Sequence, residues 1–305
     1  MDFNLINFGC KLKDIRLKFN FSQNEVYEQT GINPSTLRRL EGGKVIPKFE
    51  TLEILSSLYK EDLLLLFSQY RIDHSLLFNE VYNRLELKFD KDEIDSLTKE
   101  ILELESLLEN SSQSYFKVLI HQLIHLSKAV LLYKKEGDPS KALEELIEGL
   151  RRTIPAFSVE TYSDFVYSTF EVRILMNIAF VLNKLQREKA YVEILEFCHL
   201  SSDKNDGIFP KICHNLSTVY IRATEYEKAL TVVREGITSC QSNRNYNGLN
   251  LLYYNQGIIK FRLDQEDYST SIDLAISLSK AYGHPLLSAK LLENCREIFK
   301  MPLYL

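Results

Sequence analysis

The first predicted helix is marked by the spacing of its hydrophobic residues. Phe8, Leu12 and Ile15 recur three or four positions apart, which places their side chains on one face of an α-helix. Polar and charged residues fill most of the positions between them, and the pattern ends near Asn20. We therefore expect an amphipathic helix that buries this face against the helices that follow it.

Two short helices with recognisable ends come next. Ser22 is followed three residues later by Glu25, the spacing of a capping box at a helix N-terminus. Gly31 supplies the left-handed residue with which helices often end. Asn33 caps a further helix, with Pro34 at its first position, where a missing N–H group costs nothing. Two short helices joined by such a brief turn predict a helix-turn-helix.

The second of these helices has an apolar face and a basic face. At about 100° per residue, Leu37 and Leu40 fall on one side. Ser35, Arg38 and Arg39 fall on the opposite side. The planar guanidinium group matches both the O6/N7 edge of guanine and a phosphate group. A helix with this pattern can lie in the major groove of DNA, although two adjacent arginines also occur on ordinary solvated surfaces.

The sequence around these helices resembles the Cro/cI-type (XRE) family of DNA-binding domains. Residues 21–47 read FSQNEVYEQTGINPSTLRRLEGGKVIP, and the resemblance continues through ETLEIL at residues 50–55. The Ser-Gln start, the Gly-Ile turn and the Arg-Leu-Glu-x-Gly-Lys run keep the family's spacing. The resemblance covers about residues 6–66 and implies a five-helix DNA-binding domain.

The same resemblance implies roles for single residues. Family members contact DNA through positions that correspond here to Gln23, Asn33, Ser35, Thr36, Arg38, Arg39 and Lys44. The amide of Gln23 and the backbone N–H groups at the start of its helix suit a phosphate oxygen. One residue departs from the family pattern, because Tyr27 stands where a small alanine is usual. We expect the helices to repack slightly in order to accommodate the ring.

The middle of the chain lacks helix-breaking residues. No glycine or proline occurs between Pro47 and Gly137, so we expect a few long helices in this stretch. The pattern predicts a continuous helix over residues 67–87, with short joints near residues 90–92 and 110–114. The link between the two halves of the chain is therefore expected to be helical and stiff rather than a flexible tether.

The second half of the chain contains an irregular repeat. Two signatures share spacings of 9 and 7 residues and lie 87 residues apart, namely Tyr133, Ala142 and Gly149, and Tyr220, Ala229 and Gly236. A small residue opposite an aromatic one lets two antiparallel helices approach closely. The second signature resembles a tetratricopeptide (TPR) repeat, with degenerate copies around residues 177–190 and 255–272. We expect an all-α, right-handed TPR-like superhelix; the alternative is a plain helical bundle with chance matches.

Three asparagines recur at matching positions of these repeats. Asn177, Asn215 and Asn255 lie 38 and 40 residues apart, so their amides would project into the concave groove and bond the backbone of an extended peptide. Arg173 and Arg222 lie near the same face and could hold a peptide carboxylate. The alternative is that the asparagines bond neighbouring backbone groups and hold the repeats together.

Together, the two halves resemble the peptide-responsive quorum-sensing regulators of Gram-positive bacteria, the Rgg/PlcR/PrgX group. The resemblance implies a transcription regulator that binds double-stranded operator DNA as a homodimer and takes a short signalling peptide into the groove. We expect a helix-turn-helix domain at residues 1–66, linker helices and a first helical pair at 67–113, and a TPR-like peptide-sensing and dimerisation domain at 114–305. The final helix, residues 286–299, is expected to join the dimer contact. Two alternatives stay open: a ligand-independent XRE repressor, and a TPR scaffold that binds a protein partner.

Composition further restricts the class of protein and its expected location. The 305 residues are 45% hydrophobic and 26% charged, with 11 glycines and 7 prolines, as is typical of a helical globular protein. A net charge of −5 means that any DNA-binding site must be a local patch. The five cysteines are scattered without a CxxC pair, no apolar run is long enough to span a membrane, and no basic segment precedes an apolar one at the start. We therefore expect free thiols, a cytoplasmic location and no membrane partner.

Motifs for catalysis and metal binding are weak. His121 and His125 have the spacing of metal ligands on one helix, but Gln122 stands where an HExxH motif has glutamate. No third ligand is evident in the sequence. Phosphate-binding P-loops and the motifs GxGxxG and GxSxG do not occur. We expect no enzymatic activity, no metal and no cofactor.

Overall fold

A computed structural model of the chain describes residues 3–70, 75–91, 94–110, 114–244, 246 and 248–302. These residues are helices and connecting turns, and no β-strand occurs among them. The chain divides into two compact units, one formed by residues 1–83 with 103–120 and the other by residues 84–102 with 121–305. The all-α class expected from the sequence is therefore confirmed, whereas the functional division at residues 66/67 and 113/114 stays a prediction.

The first unit begins with the five helices expected from the sequence. They are α1 (Leu5–Lys18), α2 (Gln23–Thr30), α3 (Pro34–Glu41), α4 (Phe49–Tyr59) and α5 (Leu63–Ser68). Phe8, Leu12 and Ile15 are between 0% and 3% exposed and form one core with Leu37 and Leu40. The spacing of apolar residues thus identified the buried faces of α1 and α3 correctly.

The predicted helix ends are confirmed by their hydrogen bonds. The Ser22 hydroxyl accepts from the Glu25 N–H, and the Glu25 carboxylate accepts from the Ser22 N–H, which completes the capping box. Gly31 ends α2 with a φ of 74°, a conformation that favours glycine. The Asn33 side chain accepts from the Ser35 N–H at 2.8 Å and caps α3. The turn between α2 and α3 is therefore fixed by local bonds.

The continuous helix predicted over residues 67–87 is wrong at its start. Helix α5 ends at Ser68, and α6 runs over Ser75–Lys91; residues 71–74 lie outside the described part of the chain. The Tyr70 ring packs edge-on against Phe8, and the Tyr70 carbonyl accepts from the Asn4 N–H at 2.7 Å. These bonds to the start of the chain stop the helix, although no glycine or proline marks the position.

The remaining helices follow in chain order. They are α7 (Leu97–Asn110), α8 (Ser114–Leu131), α9 (Pro139–Arg151), α10 (Thr169–Lys184), α11 (Glu188–Ser201), α12 (Phe209–Arg222), α13 (Tyr226–Asn243), α14 (Leu249–Arg262), α15 (Tyr268–Ala281) and α16 (Pro285–Glu297). The joints predicted near residues 90–92 and 110–114 fall where α6 and α7 end. Short turns separate α10 from α11, α12 from α13 and α14 from α15, so the members of each pair are antiparallel neighbours.

Successive pairs also pack on one another, as in a helical repeat protein. Helix α11 packs against α12, and α13 packs against α14. The two helices of each pair thus bury apolar faces against each other and against the next pair. This arrangement confirms the predicted stack of TPR-like helix pairs and not the alternative, a plain helical bundle.

The small residues of the predicted signature lie where helices approach closely. A Cβ atom at Gly236 in α13 would lie 2.8 Å from the Cβ of Cys213 in α12 and 3.0 Å from Leu252 in α14. A Cβ atom at Gly149 would lie 3.2 Å from the Cβ of His125. Glycine at position 236 therefore permits three helices to meet at one point.

We predict that Gly236→Ala lowers the free energy of unfolding by about 1–2 kcal/mol, because the added methyl overpacks this junction by more than it gains in helix propensity. Urea unfolding followed by circular dichroism measures the effect. Thr231→Ala, at an exposed position of the same helix, is the control and should change stability little. Equal stability of the Gly236→Ala variant and the wild type would contradict the prediction, because it would show that the helix junction accepts a methyl group without strain.

Candidate functional site

A buried ion pair fixes α3 against α1. The Arg16 Nε donates to Glu41 Oε1 at 2.6 Å, and its Nη2 donates to Glu41 Oε2 at 3.0 Å. Both side chains are less than 10% exposed. The third arm of the guanidinium, Nη1, donates to the Phe21 carbonyl at 2.6 Å. Hydrogen bonding to Glu41 raises the pKa of Arg16 above its ordinary value.

Helix α2 is joined to the same carboxylate. The Gln23 Nε2 donates to Glu41 Oε2 at 2.9 Å, and the Gln23 side chain is half-buried. Glu41 therefore accepts from one residue of α1 and one of α2 while it stands in the last turn of α3. Breaking a buried pair of this kind by removing one partner typically costs about 3–5 kcal/mol. Glu41 thus helps to fix the orientation of α3, together with the buried leucines of that helix.

The structure places most of the residues expected to bind DNA on one exposed face. The residues of α3 and its flanks that are exposed are Asn33, Ser35, Thr36, Arg38, Arg39 and Lys44. Leu37 and Leu40, which lie between them in sequence, are 0% and 3% exposed. The helix therefore presents hydroxyl and guanidinium groups outward while its leucines anchor it. Gln23 is the exception, because its amide already bonds Glu41.

The repacking expected around Tyr27 does not occur. The Tyr27 side chain is 51% exposed, so its ring lies on the surface of α2 and the core contains Val26 instead. A large side chain is tolerated there because it does not enter the core.

The second unit contains an open cavity of about 610 Å³, a size typical of sites for small ligands. Its apolar wall includes Leu87, Phe89, Leu126, Val130, Met176, Phe180, Leu251 and Leu287. These residues come from α6, α8, α10, α14 and α16. Of the residues expected to bind a peptide, Arg173, Asn177 and Asn215 line this cavity, whereas Arg222 and Asn255 are not in its wall.

The three asparagines have different roles. The Asn177 Nδ2 donates to the Arg173 carbonyl at 2.9 Å, and the Asn215 Nδ2 donates to the Lys211 carbonyl at 2.7 Å. Each bond lies within one helix and holds the amide in place at the cavity wall. Asn255 instead bonds across helices, with its Nδ2 2.9 Å from Ser217 Oγ and 3.0 Å from Thr218 Oγ1. Asn255 therefore joins α14 to α12, as the alternative interpretation expected, while Arg222 is exposed at the end of α12.

The charged residues of the cavity wall are basic. Lys134, Arg173 and Lys211 line it, and no acidic residue occurs among the described residues of the lining. Glu86, on α6, forms ion pairs with Arg173 and with Lys211, the latter with 3.2 Å between Nζ and Oε2. The Arg173 Cζ also lies 5.5 Å from the centre of the Phe89 ring. Sequence reasoning identified Arg173 but missed Lys134, Lys211 and Glu86, which no motif marks.

His214 contributes a neutral side chain to the same wall. Burial lowers its pKa to about 4, so the imidazole is uncharged at neutral pH. Its Nδ1 lies 3.3 Å from the Nδ2 of Asn255, which fits an acceptor nitrogen in the neutral ring. The positive charge of the cavity therefore comes from its lysines and arginine.

The groups considered for chemistry or metal binding are engaged otherwise. His125 Nδ1 lies 2.7 Å from Glu145 Oε2, and no cluster of three or more metal-ligating side chains occurs in the described residues. Four of the five cysteines are buried, and burial raises the pKa of Cys198 to about 12 and that of Cys240 to about 11. These thiols are protonated and unreactive near neutral pH. None of the described helices is both long and apolar enough to cross a membrane.

We predict that His214 makes the protein less stable in mild acid. An unfolded chain takes up a proton at His214 near pH 6.5, whereas the folded protein excludes it until the pH approaches 4. The free energy of unfolding should therefore fall as the pH decreases from 6.5 to 4, by up to roughly 3 kcal/mol for this one group. Chemical unfolding gives the free energy of unfolding of the wild type and of His214→Gln at each pH. The difference between the two proteins isolates His214, because the contributions of the other titrating groups cancel. Parallel pH profiles for the two proteins would contradict the prediction.

Comparisons with known proteins agree with this architecture. A family model described as helix-turn-helix (HTH_3) matches residues 12–66, which include the second half of α1, all of α2, α3 and α4, and the first four residues of α5. No curated protein matches the sequence. Similarity over the whole chain is therefore found in structures rather than in sequences.

Three solved structures illustrate that similarity. PlcR from Bacillus thuringiensis, in complex with the peptide PapR7 and DNA, has a TM-score of 0.69 at 15% identity, and the match covers 94% of this chain and 99% of PlcR. ComR from S. thermophilus, in complex with DNA and its signalling peptide ComS, has a TM-score of 0.56 at 14% identity, with 94% and 98% covered. The pheromone receptor Rgg2 from Streptococcus dysgalactiae has a TM-score of 0.57 at 14% identity, with 95% and 99% covered.

At this level of identity the likeness concerns the fold. The amino-terminal domain is a helix-turn-helix domain of the Cro/cI (XRE) type, and the chain as a whole has the all-helical fold of the PlcR, Rgg2 and ComR regulators.

Proposed function

We propose that this chain is a sequence-specific transcription regulator whose binding to operator DNA is controlled by a short peptide held in the cavity of its second unit. The observation that carries the DNA-binding part is the outward face of α3, where two arginines are exposed on a helix anchored by buried leucines and by the Arg16–Glu41 pair. The fold belongs to transcription regulators and not to a class of enzymes.

The exposed face of α3 suits the major groove of DNA. Arg38 and Arg39 read base edges or phosphates through their planar donors, and Ser35 and Thr36 contact neighbouring bases or sugars. Asn33 is at the start of the helix, where its main chain and its side-chain amide approach the sugar-phosphate backbone of the DNA. Lys44 binds a phosphate, and Gln23 binds another through the second N–H of its amide, since the first is donated to Glu41. A net charge of −5 for the whole chain limits non-specific binding to this patch.

The cavity suits a short apolar peptide with a negative charge. Apolar side chains cover much of its wall, while the amides of Asn177 and Asn215 offer acceptors and donors for a peptide backbone. Arg173 is placed to receive a carboxylate. That PlcR and ComR were solved with peptides and DNA supports this interpretation. A concave cavity of this size favours a short peptide over a folded protein partner, which would need a larger contact surface.

The proposal also includes a homodimer and a location in the cytoplasm. A homodimer would present two α3 helices to paired half-sites, which doubles the contact and fixes the spacing. Leu291 and Cys295 of α16 are buried within their own chain, whereas Leu286 and Ile298 are 86% and 63% exposed. Leu286 of α16 and Ile298, which directly follows α16, are therefore available for a dimer contact. Such a regulator would work in the cytoplasm, where DNA and an imported peptide meet.

We predict that Arg38→Ala or Arg39→Ala weakens binding to the selected duplex by about 1–3 kcal/mol if the residue makes a bidentate base contact. The duplex is first selected from a random DNA library with the wild-type protein, and fluorescence anisotropy then measures affinity at one fixed salt concentration. Arg234→Ala, which removes an exposed arginine of α13, is the matched control and should bind normally. Wild-type affinity in both α3 variants would remove this face from the site.

We predict that a pool of short apolar peptides raises the melting temperature of the wild type but not that of Asn215→Ala. A ligand at 100 times its Kd stabilises the folded state by about 2.7 kcal/mol. Apo-DNA affinity should stay normal in the variant, and Asn243→Ala, at an exposed position of α13, should respond like the wild type. An Asn215→Ala protein that fails to fold would show that this asparagine supports the repeat. A wild type that gains no stability from any pool would argue for a regulator without a peptide ligand.

A further inference from the structure

Helix α14 contributes an amide to the cavity wall at a position that the spacing of the asparagines does not mark. Asn250, in the first turn of α14, lines the cavity together with Leu251, and it is 5% exposed. Asn255 on the same helix bonds Ser217 of α12 instead. At about 100° per residue, the two asparagines point about 140° apart around the helix. The cavity-facing amide of α14 is therefore Asn250.

The hydrogen bonds of Ser279 fix the orientation of this amide. The Ser279 hydroxyl, on α15, donates its single proton to the Ala275 carbonyl at 2.8 Å. It can therefore only accept from Asn250, whose Nδ2 lies 3.0 Å from Ser279 Oγ. The nitrogen of the Asn250 amide thus faces Ser279, and its carbonyl oxygen points away from that residue.

The oxygen that points away is an unused acceptor. Oδ1 of Asn250 accepts no hydrogen bond from the described residues, and it is not one of the fully enclosed polar atoms. Asn215 on α12 is arranged in the same way, because its Nδ2 donates to the Lys211 carbonyl and its Oδ1 has no partner in the described part of the chain. Helix α12 packs against α14. The cavity wall therefore holds two oriented amide oxygens on helices that are in contact.

The surroundings of Asn250 restrict the group that its oxygen could bind. Leu251 and Leu287 are among the apolar residues of the same wall, so an apolar ligand suits this part of the cavity. A ligand that covered the oxygen without offering a donor would leave an unpaired acceptor, which is costly. An apolar peptide carries N–H donors along its main chain and, apart from its amino terminus, nowhere else. A main-chain N–H is therefore the group that fits.

We propose that Asn250 is a further ligand-binding residue, whose Oδ1 accepts a hydrogen bond from a main-chain N–H of the peptide beside the contact made by Asn215. This inference rests on the proposed peptide site, and it adds to that site a binding residue and the ligand group that the residue recognises. Ser279 acts as a positioning residue, since its bond to Nδ2 holds the amide in the binding orientation before the peptide arrives and so lowers the ordering cost of binding.

The test combines a variant of the protein with changes in the peptide main chain. The probe is the tightest-binding member of a random heptapeptide library, selected with the wild-type full chain. Derivatives of this peptide carry an N-methyl group in place of each main-chain N–H in turn. Titration calorimetry measures their affinities for the wild type and for Asn250→Ala, and a double-mutant cycle isolates the contact.

One N-methyl position should reveal the bond to Asn250. Loss of a neutral hydrogen bond should weaken binding of that derivative to the wild type by about three- to tenfold. In Asn250→Ala the unmodified peptide should already bind more weakly, and the penalty at this one position should shrink by the same factor. The penalties at the other positions should be the same in both proteins. A loss of stability alone does not produce this pattern, because each penalty compares two peptides on one folded protein.

Two other asparagines provide the comparison. Asn243→Ala, at an exposed position of α13, is the control and should keep the wild-type pattern of penalties. Asn255→Ala tests the position that the repeat spacing favoured; it should lower stability by breaking the bonds to α12 and leave the pattern unchanged. Asn250→Ser keeps a hydroxyl close to Ser279 and replaces Asn250→Ala if the latter does not fold.

The contact is supported if the penalty at one N-methyl position shrinks in Asn250→Ala and in neither of the other two variants. It is overturned if every penalty is the same in Asn250→Ala and the wild type, or if a penalty shrinks in Asn255→Ala alone. These results leave the peptide site itself intact, because the wild type still binds the selected peptide. A library that yields no binding peptide would overturn the peptide site and the Asn250 contact together.

Discussion

The Arg16–Glu41 pair is the constraint on which the presentation of α3 depends. Helices α1, α2 and α3 share one hydrophobic core, and they are also joined by one carboxylate, which accepts both from the Arg16 guanidinium and from the Gln23 amide. The pair is charge-balanced and almost completely buried. Breaking a balanced, buried ion pair of this kind is energetically costly. The outward face of α3 is thus rigid before a ligand binds. Preorganisation of this sort lowers the ordering cost of binding.

The second unit also uses a glutamate to join helices. Glu86 also bridges helices that are distant in sequence, yet it faces two cations and is twice as exposed as Arg173. Buried carboxylates therefore join separate helices in both units.

Local signals in the sequence predicted the helix-turn-helix well. The capping box at Ser22, the left-handed Gly31 and the Asn33 cap depend on residues within four positions of one another, so a single sequence contains all the information. The small residue at Gly236 was also predictable, because close approach of helices leaves a composition signal. Exposure of Arg38 and Arg39 followed from helical periodicity alone.

Contacts between distant residues were not predictable in this way. The end of α5 depends on Tyr70 meeting Phe8 and Asn4, and nothing near residue 70 marks it. Glu86 pairs with residues 87 and 125 positions later, a distance over which single sequences give no pattern. The equal spacing of the asparagines placed Asn177 and Asn215 in the cavity wall correctly, but it could not show that Asn255 faces α12.

Site-specific photocrosslinking tests the central claim most directly, namely that the outward face of α3 reads duplex DNA. A photoreactive benzoylphenylalanine replaces Ser35 in one protein and Ser57, exposed on α4, in another, and both are irradiated with the duplex selected by the wild type. The account predicts crosslinks from position 35 to defined bases of that duplex and none to bases from position 57. Base crosslinks from position 57 alone, with DNA binding intact, would contradict it.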